Sequence, residues 1–131
     1  MLIGEVVKRS GLSKDTIRHY ESLGLLHSTP RQAGTRRYRD YDDTTLERLS
    51  LIAFGKQLQM SLREMVEPMN RALSNTSTTD ERRAFALEKV AQIDARIAAL
   101  QAARAELLGL ADDPEKHLAD RRMKALGHWI E

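Results

Sequence analysis

The chain of 131 residues contains no cysteine, which excludes disulfides, thiolate metal sites, cysteine-ligated iron–sulfur clusters and cysteine nucleophiles. Aromatic residues make up only 5% of the sequence, and proline occurs three times. No apolar run approaches the roughly 18 residues that a membrane span needs, and no signal peptide precedes the first charges at Glu5 and Lys8. We therefore expect a cytoplasmic chain without a membrane partner.

The residue patterns of an enzyme site are also missing. The sequence has no glycine-rich phosphate loop, no metal-ligand cluster and no nucleophile with a supporting base. His117 and His128 stand eleven positions apart and lack a third histidine or a carboxylate arrangement. We predict no catalytic activity, no cofactor and no metal site.

The formal net charge of +2 conceals an uneven distribution. Residues 1–41 carry eight Lys and Arg against four Asp and Glu, whereas residues 42–131 carry thirteen against fifteen. A basic region on a nearly neutral body is typical of a protein that binds a polyanion.

Two short helices with a glycine-containing turn are predicted at the N-terminus. Apolar spacing predicts the first helix over residues 3–10, ended by Gly11, and Ser13 caps a second over residues 14–22. This arrangement is a helix-turn-helix, which occurs in DNA-binding and in other proteins. The second helix offers side chains suited to phosphates and base edges, which are Lys14, Thr16, Arg18, His19 and Tyr20. For Tyr20, half-buried packing is an equally good interpretation.

The segment after the second helix predicts a basic hairpin, or wing. Ala33-Gly34 has turn character, and the flanking residues can form two short strands. Arginines beside a recognition helix can straddle the phosphate backbone. The predicted DNA-binding residues here are Arg36, Arg37, Tyr38 and Arg39, and Arg31 adds a fourth cation.

Two more helices follow, which completes a predicted DNA-binding domain over residues 1–73. The third begins at Asp42 or Asp43 and carries two apolar stripes, one with Leu46, Leu49 and Ala53 and one with Leu51, Phe54 and Leu58. A capping box at Ser61 opens the fourth helix, in which Pro68 predicts a kink or an early end.

A long helix is predicted over residues 80–111. From residue 86 the spacing alternates between four and three, which is the heptad repeat of a coiled coil, interrupted once by Arg104. We call the positions Ala86, Val90, Ile93, Ile97, Leu100, Arg104, Leu107 and Ala111 the seam. The predicted dimerisation residues are Val90, Ile93, Ile97, Leu100 and Leu107.

The seam needs a partner, because the small N-terminal region cannot cover a helix of about 45 Å. The same helix of a second copy is the simplest partner. The alternative is a hairpin with the tail, residues 112–131, which is short and highly charged. Within that tail, Trp129 either anchors the segment or stacks on an effector in a small pocket.

The motifs together resemble the MerR family of transcriptional regulators. The resemblance rests on residues 3–13 (IGEVVKRSGLS), on Thr16 to Glu21 (TIRHYE), on Gly24-Leu25-Leu26, on Tyr38-Arg39-Asp40-Tyr41 and on residues 60–65 (MSLREM). It covers about residues 1–111. His19 stands where the family often has tyrosine, and Arg37 stands where a glycine usually precedes the wing tyrosine.

This resemblance implies a mainly helical protein with a winged helix-turn-helix, an antiparallel coiled-coil homodimer and a site on double-stranded promoter DNA. It implies that an effector distorts the DNA so that RNA polymerase can engage it. Metal-sensing relatives use cysteines near the end of the dimer helix, and their absence here excludes thiol-based sensing. Two alternatives remain open, which are an architectural DNA-bending protein without an effector and a helical interaction module without DNA.

Overall fold

The computed structural model describes the backbone of residues 1–130 and the side chains of residues 1–126. Six helices and two strands follow one another as α1 (Ile3–Ser10), α2 (Lys14–Ser22), β1 (Ser28–Ala33), β2 (Arg36–Tyr41), α3 (Thr45–Gln57), α4 (Leu62–Leu73), α5 (Thr79–Asp112) and α6 (Pro114–Ile130). The chain divides into two compact units, Met1–Arg82 and a second unit that starts at Arg83. The predicted mainly helical, winged helix-turn-helix fold is confirmed.

The helix-turn-helix forms where the local signals predict it. Gly11 ends α1 with φ of 74°, and its N–H donates to the Val7 carbonyl. Ser13 then caps α2, because its Oγ accepts a hydrogen bond from the Thr16 N–H at 3.1 Å. The turn between the helices is therefore only three residues long, and it fixes the angle at which α2 leaves α1.

One hydrophobic core joins the first four helices and the wing. Tyr41 anchors β2 in this core with 2% of its surface exposed. Its buried apolar residues are Val6, Ile17, Tyr20, Leu25, Leu26, Tyr41, Leu49, Ile52, Met65 and Met69. The wing is thereby held at a fixed place beside α2.

The wing is an antiparallel hairpin of β1 and β2 in which Ala33 pairs with Arg36. The two turn residues are Gly34 and Thr35, one position later than the predicted Ala33-Gly34 turn. Gly34 has φ of 63°, which suits the first turn position of a tight hairpin. Arg37 does not prevent closure, since it lies within β2 and pairs with Gln32.

Helix α3 differs from its prediction in start and in buried face. It begins at Thr45 rather than at Asp42 or Asp43, because the Asp42 carboxylate accepts from the backbone N–H and the hydroxyl of Thr44. The two predicted apolar stripes are confirmed only in part, since Leu49 is buried and Leu46 and Leu51 pack against the core, whereas Phe54 is 55% exposed. The buried positions of α3 are Thr45, Arg48, Leu49, Ile52 and Gly55.

Helix α4 is capped as predicted but does not end early. Ser61 Oγ accepts from the Glu64 N–H at 3.2 Å. The helix contains Pro68 and continues to Leu73. Pro68 removes one helical hydrogen bond, and packing of Met65 and Met69 in the core holds the helix together across it.

The seam of helix α5 is exposed to solvent. It is 34 residues long and none of these residues is buried. The exposed fraction is 49% for Ile97 and 70% for Leu100. The other predicted dimerisation residues, Val90, Ile93 and Leu107, are exposed as well.

Helix α6 lies on the opposite side of α5 from the seam. Arg121 forms an ion pair with Glu106, and the His117 ring lies 3.5 Å from where a Cβ on Gly109 would be. At about 100° per residue, Glu106 and Gly109 lie roughly 180° around α5 from the seam. The alternative in which the tail covers the seam is therefore wrong for the described residues. The Trp129 side chain lies outside the described residues.

Among residues 1–130, the structure contains no helix long and apolar enough to cross a bilayer.

The end of α3 offers a test by substitution. Gln59 has φ of 58°, and the bonds from Gln59 N–H to Lys56 O and from Met60 N–H to Gly55 O form a Schellman motif. This left-handed position favours glycine, so Gln59→Gly should raise the free energy of unfolding by about 0.5–1 kcal/mol. Urea denaturation at fixed protein concentration measures the change.

Gln57→Gly is the matched control, because Gln57 belongs to α3 itself and its substitution should destabilise by up to about 1 kcal/mol. Destabilisation of similar size by both substitutions would contradict the backbone argument.

Candidate nucleic-acid interface

The first turn of α1, helix α2 and strand β2 line a groove of about 680 Å³. Its lining includes five cationic side chains against the two carboxylates of Glu5 and Glu21. The cations are Lys14, Arg18, Arg36, Arg37 and Arg39. A concave surface with this excess of positive charge attracts a polyanion, and its arginines can bond to phosphate oxygens.

Helix α2 presents its cations outward. Lys14, Arg18 and His19 are exposed on the surface, as expected for residues that contact DNA. Thr16 is half-buried, and its hydroxyl accepts from Ser13 Oγ at 2.9 Å. Thr16 therefore belongs partly to the helix cap.

Tyr20 is buried, with 3% of its surface exposed, so its predicted contact with DNA is corrected to a packing role. It follows the buried Ile17 by three positions and thus shares its face of α2. The Lys56 ammonium lies 5.4 Å from the centre of the Tyr20 ring. That position is favourable for a cation–π contact and joins α3 to α2.

Arg39 connects the wing to helix α2. Its Nε lies 3.7 Å from Glu21 Oε1, and its guanidinium donates to Ser28 Oγ at 3.2 Å. Ser28 Oγ in turn donates to the other carboxylate oxygen of Glu21. These bonds orient Arg39, which remains 59% exposed and open to a further partner.

The outer edge of the wing has a separate charge cluster. Asp40 accepts from the Met1 amino group at 2.8 Å and lies 3.4 Å from Arg31 Nε. The amino group, more than Arg31, holds the pKa of the Asp40 carboxyl below its usual value. Burial, with a contribution from Glu21, raises the pKa of the Tyr41 hydroxyl.

Arg31 is paired with Asp40 at this edge of the wing, and it does not line the groove.

Three residues near the groove were missed by the sequence analysis. Glu21 and Ser28 orient Arg39, but their partner is distant in sequence. Lys56 is an exposed cation beside α2, and it follows from the sequence only once α3 is known to pack against Tyr20.

In the part of the chain whose side chains are described, no group of three or more His, Cys, Asp and Glu residues could hold a metal ion. Arrangements of this kind are the usual basis of zinc and other transition-metal sites.

Comparison with known families finds two matches, which overlap over residues 46–72. Residues 1–72 match the family described as MerR HTH family regulatory protein, and residues 46–110 match the family described as MerR, DNA binding. The HTH-type transcriptional regulator CueR of Salmonella typhimurium LT2 is 35% identical over 112 residues, which are 86% of this chain and 80% of that protein. The HTH-type transcriptional regulator ZntR of Escherichia coli K12 is 32% identical, over 84% of this chain and 77% of its own length.

Solved structures are similar as well. The transcription regulator PbrR691 from Ralstonia metallidurans CH34, in complex with lead(II), has a TM-score of 0.67 at 32% identity and 84% coverage of each chain. HiNmlR, a MerR family regulator lacking the sensor domain and bound to promoter DNA, has a TM-score of 0.53 at 25% identity. That match covers 96% of this chain and 94% of HiNmlR.

Proposed function

Since this chain belongs to the MerR family of DNA-binding transcription regulators, which are not enzymes, we propose that it binds a near-palindromic promoter site as a homodimer. Distortion of that site would then change how RNA polymerase engages the promoter. The single observation that carries the proposal is the cationic groove between α1, α2 and the wing. In the proposed complex, these five cations would neutralise phosphates beside a helix that enters the major groove.

The homodimer is supported by the exposed seam of α5. An apolar stripe that its own tail does not cover is a surface for a second helix. Two copies would hold two recognition helices for successive major grooves, about 34 Å apart along the duplex. A symmetric protein of this kind reads a near-palindrome.

We propose that any effector is sensed without thiolate ligands. A relative 32% identical over 77% of this chain is named heavy metal-dependent transcription regulator 2, from Rhizobium meliloti 1021, and PbrR691 binds lead(II). This chain has no cysteine with which to hold such ions. A pocket framed by the tail and Trp129 stays a prediction.

A second candidate is an architectural DNA-bending protein without an effector. HiNmlR is described as lacking the sensor domain while bound to promoter DNA, and it matches this chain over nearly its full length. Beyond α5, the described residues form the helix α6.

DNA footprinting over genomic promoter fragments separates these functions. Protection of one near-palindrome between two promoter elements is expected for the regulator. Dispersed protection without a preferred site would favour the architectural protein. No protection at low salt would leave a helical interaction module and contradict the proposal.

Arg39→Ala should weaken binding to all duplex sequences and reduce the slope of log K against log salt by about one. The reason is the loss of one phosphate contact from the wing. Fluorescence anisotropy of a labelled duplex between 50 and roughly 200 mM salt measures both quantities.

Arg31→Ala is the matched control in the same hairpin, because Arg31 is paired with Asp40 outside the groove. It should change the slope less than Arg39→Ala does. If Arg39→Ala lowered the affinity with an unchanged slope, Arg39 would only support the wing, and the phosphate contact would be ruled out.

A further inference from the structure

Gly4 is a helical glycine that the packing of the subunit does not require. It stands in the first turn of α1, and glycine is a poorer helix former than alanine. Its φ is not positive, in contrast to that of Gly11. Apart from α1 itself, no atom of the described side chains and backbone would lie within 4 Å of a Cβ at Gly4, whereas a Cβ at Gly55 would lie 2.8 Å from Met65 Sδ. The subunit therefore has room for a side chain at position 4.

This open position belongs to the cationic groove. Gly4 is exposed and lines the groove together with the five cations of α2 and the wing. The neighbouring carboxylate of Glu5 lies 3.0 Å from an Arg9 terminal nitrogen, which offsets its negative charge. A polyanion drawn to the groove by the cations can thus reach the backbone of α1 at Gly4 without meeting a side chain there.

Resting on the proposed binding of promoter DNA, we propose that the sugar–phosphate backbone of one DNA strand packs directly against the Cα of Gly4. Glycine allows a ligand to approach the protein backbone more closely than any other residue does. The duplex then enters the groove deeply enough for the cations to bond to phosphate oxygens at about 2.8 Å. Gly4 is a positioning residue, because it sets the depth of the duplex and forms no bond through a side chain.

A side chain at position 4 would hold the strand away from the cations. A displacement of about 1 Å takes a hydrogen bond of about 2.8 Å beyond the range in which it is strong. Fewer phosphates would then be neutralised, so both the affinity and its dependence on salt should fall. Since phosphates carry no sequence information, the loss should affect all duplex sequences.

Gly4→Ala should make the protein more stable and yet a poorer DNA binder. At fixed protein concentration, its thermal unfolding midpoint should rise by about 2–4 °C. Its dissociation constant for a labelled duplex that carries the footprinted site should rise about fivefold or more, as measured by fluorescence anisotropy. The larger Gly4→Leu should raise the constant about 30-fold or more and reduce the slope of log K against log salt by about one.

Ala72→Leu is the matched control, because Ala72 is exposed on α4 and does not line the groove. It should leave the affinity and the slope unchanged. If Gly4→Ala lowered the unfolding midpoint together with the affinity, Gly4 would serve the fold, and the close approach of DNA would be ruled out.

A pair of variants with the same size and different charge tests whether a phosphate lies beside position 4. Gly4→Asp should bind the duplex about fivefold more weakly than Gly4→Asn at low salt, because its carboxylate repels the phosphate. The difference should shrink as salt screens the charges. Ala72→Asp and Ala72→Asn should bind alike. Equal affinities of Gly4→Asp and Gly4→Asn would place position 4 away from the phosphates and overturn the proposal.

The unmodified protein separates a failure of this proposal from a failure of the proposed function. If it binds the duplex and Gly4→Leu binds equally well, the groove holds DNA without a close approach at Gly4, and the proposal is wrong while the function stands. If the unmodified protein binds no duplex at low salt, both are wrong.

Discussion

Ile97→Asp should convert the dimer to a monomer and weaken binding to the palindromic promoter site by about 100-fold or more. The substitution places a carboxylate at the middle of the seam, where two copies would bury it without a cation. A monomer then contacts one half-site only and loses the affinity that a second, linked DNA-binding domain contributes. Because Ile97 is 49% exposed within one copy, each subunit should keep its fold.

Sedimentation and anisotropy measure the two effects, and circular dichroism confirms that the helices persist. Ala95→Asp adds the same charge to α5 on the face away from the seam, and this control should remain a dimer with full affinity. If Ile97→Asp remained a dimer, the seam would not be the dimerisation surface. If it became a monomer with unchanged affinity, binding to the promoter site would not need two DNA-binding domains.

The helix-turn-helix could be predicted from the sequence because its signals are local. Gly11 ends one helix and Ser13 starts the next, and each acts through hydrogen bonds to residues three or four positions away. The long helix could be predicted equally well, because the heptad repeat of the seam is a property of one helix and does not depend on its surroundings. Both features need no knowledge of tertiary contacts.

The face of α3 could not be predicted, because the core accepts residues there that are not apolar. Gly55 is buried because α4 approaches closely, and a Cβ at this position would lie 2.8 Å from Met65 Sδ. Thr45 is buried because its hydroxyl donates to the Asp42 carbonyl at 2.8 Å. Apolar residues alone therefore predict only part of the buried face, and Phe54 is the clearest exception.

In the candidate interface, too, local features could be predicted from the sequence and features that depend on tertiary contacts could not. The exposed cations of α2 follow from helical spacing, once Ile17 is placed in the core. The roles of the wing arginines do not, because Arg39 and Arg31 look alike in sequence and differ only through Glu21 and Asp40. The sequence alone leaves two interpretations open for Tyr20, because it lies three positions after Ile17 and also carries a hydroxyl that can bond to DNA.

Arg48→Ala should lower the free energy of unfolding by about 3 kcal/mol. Arg48 is 8% exposed, and within residues 1–126 no carboxylate is among its hydrogen-bond partners. Its Nε donates to Thr44 Oγ1 at 3.0 Å, and one terminal nitrogen reaches Asn70 Oδ1 at 3.1 Å and the Leu25 carbonyl at 3.4 Å. Truncation leaves a cavity and removes a donor from a carbonyl in the core.

Urea denaturation at fixed protein concentration measures this loss. Arg63→Ala, on the exposed face of α4, is the matched control and should change the free energy of unfolding by no more than about 0.5 kcal/mol. The side chain of Arg48 joins α3, α4 and the segment after α2, so its bonds should be coupled. In an Asn70→Ala background, Arg48→Ala should therefore cost about 1 kcal/mol less than in the unmodified protein. Equal costs in both backgrounds would show that Arg48 stabilises by filling space alone, and the predicted bridge between the helices would be wrong.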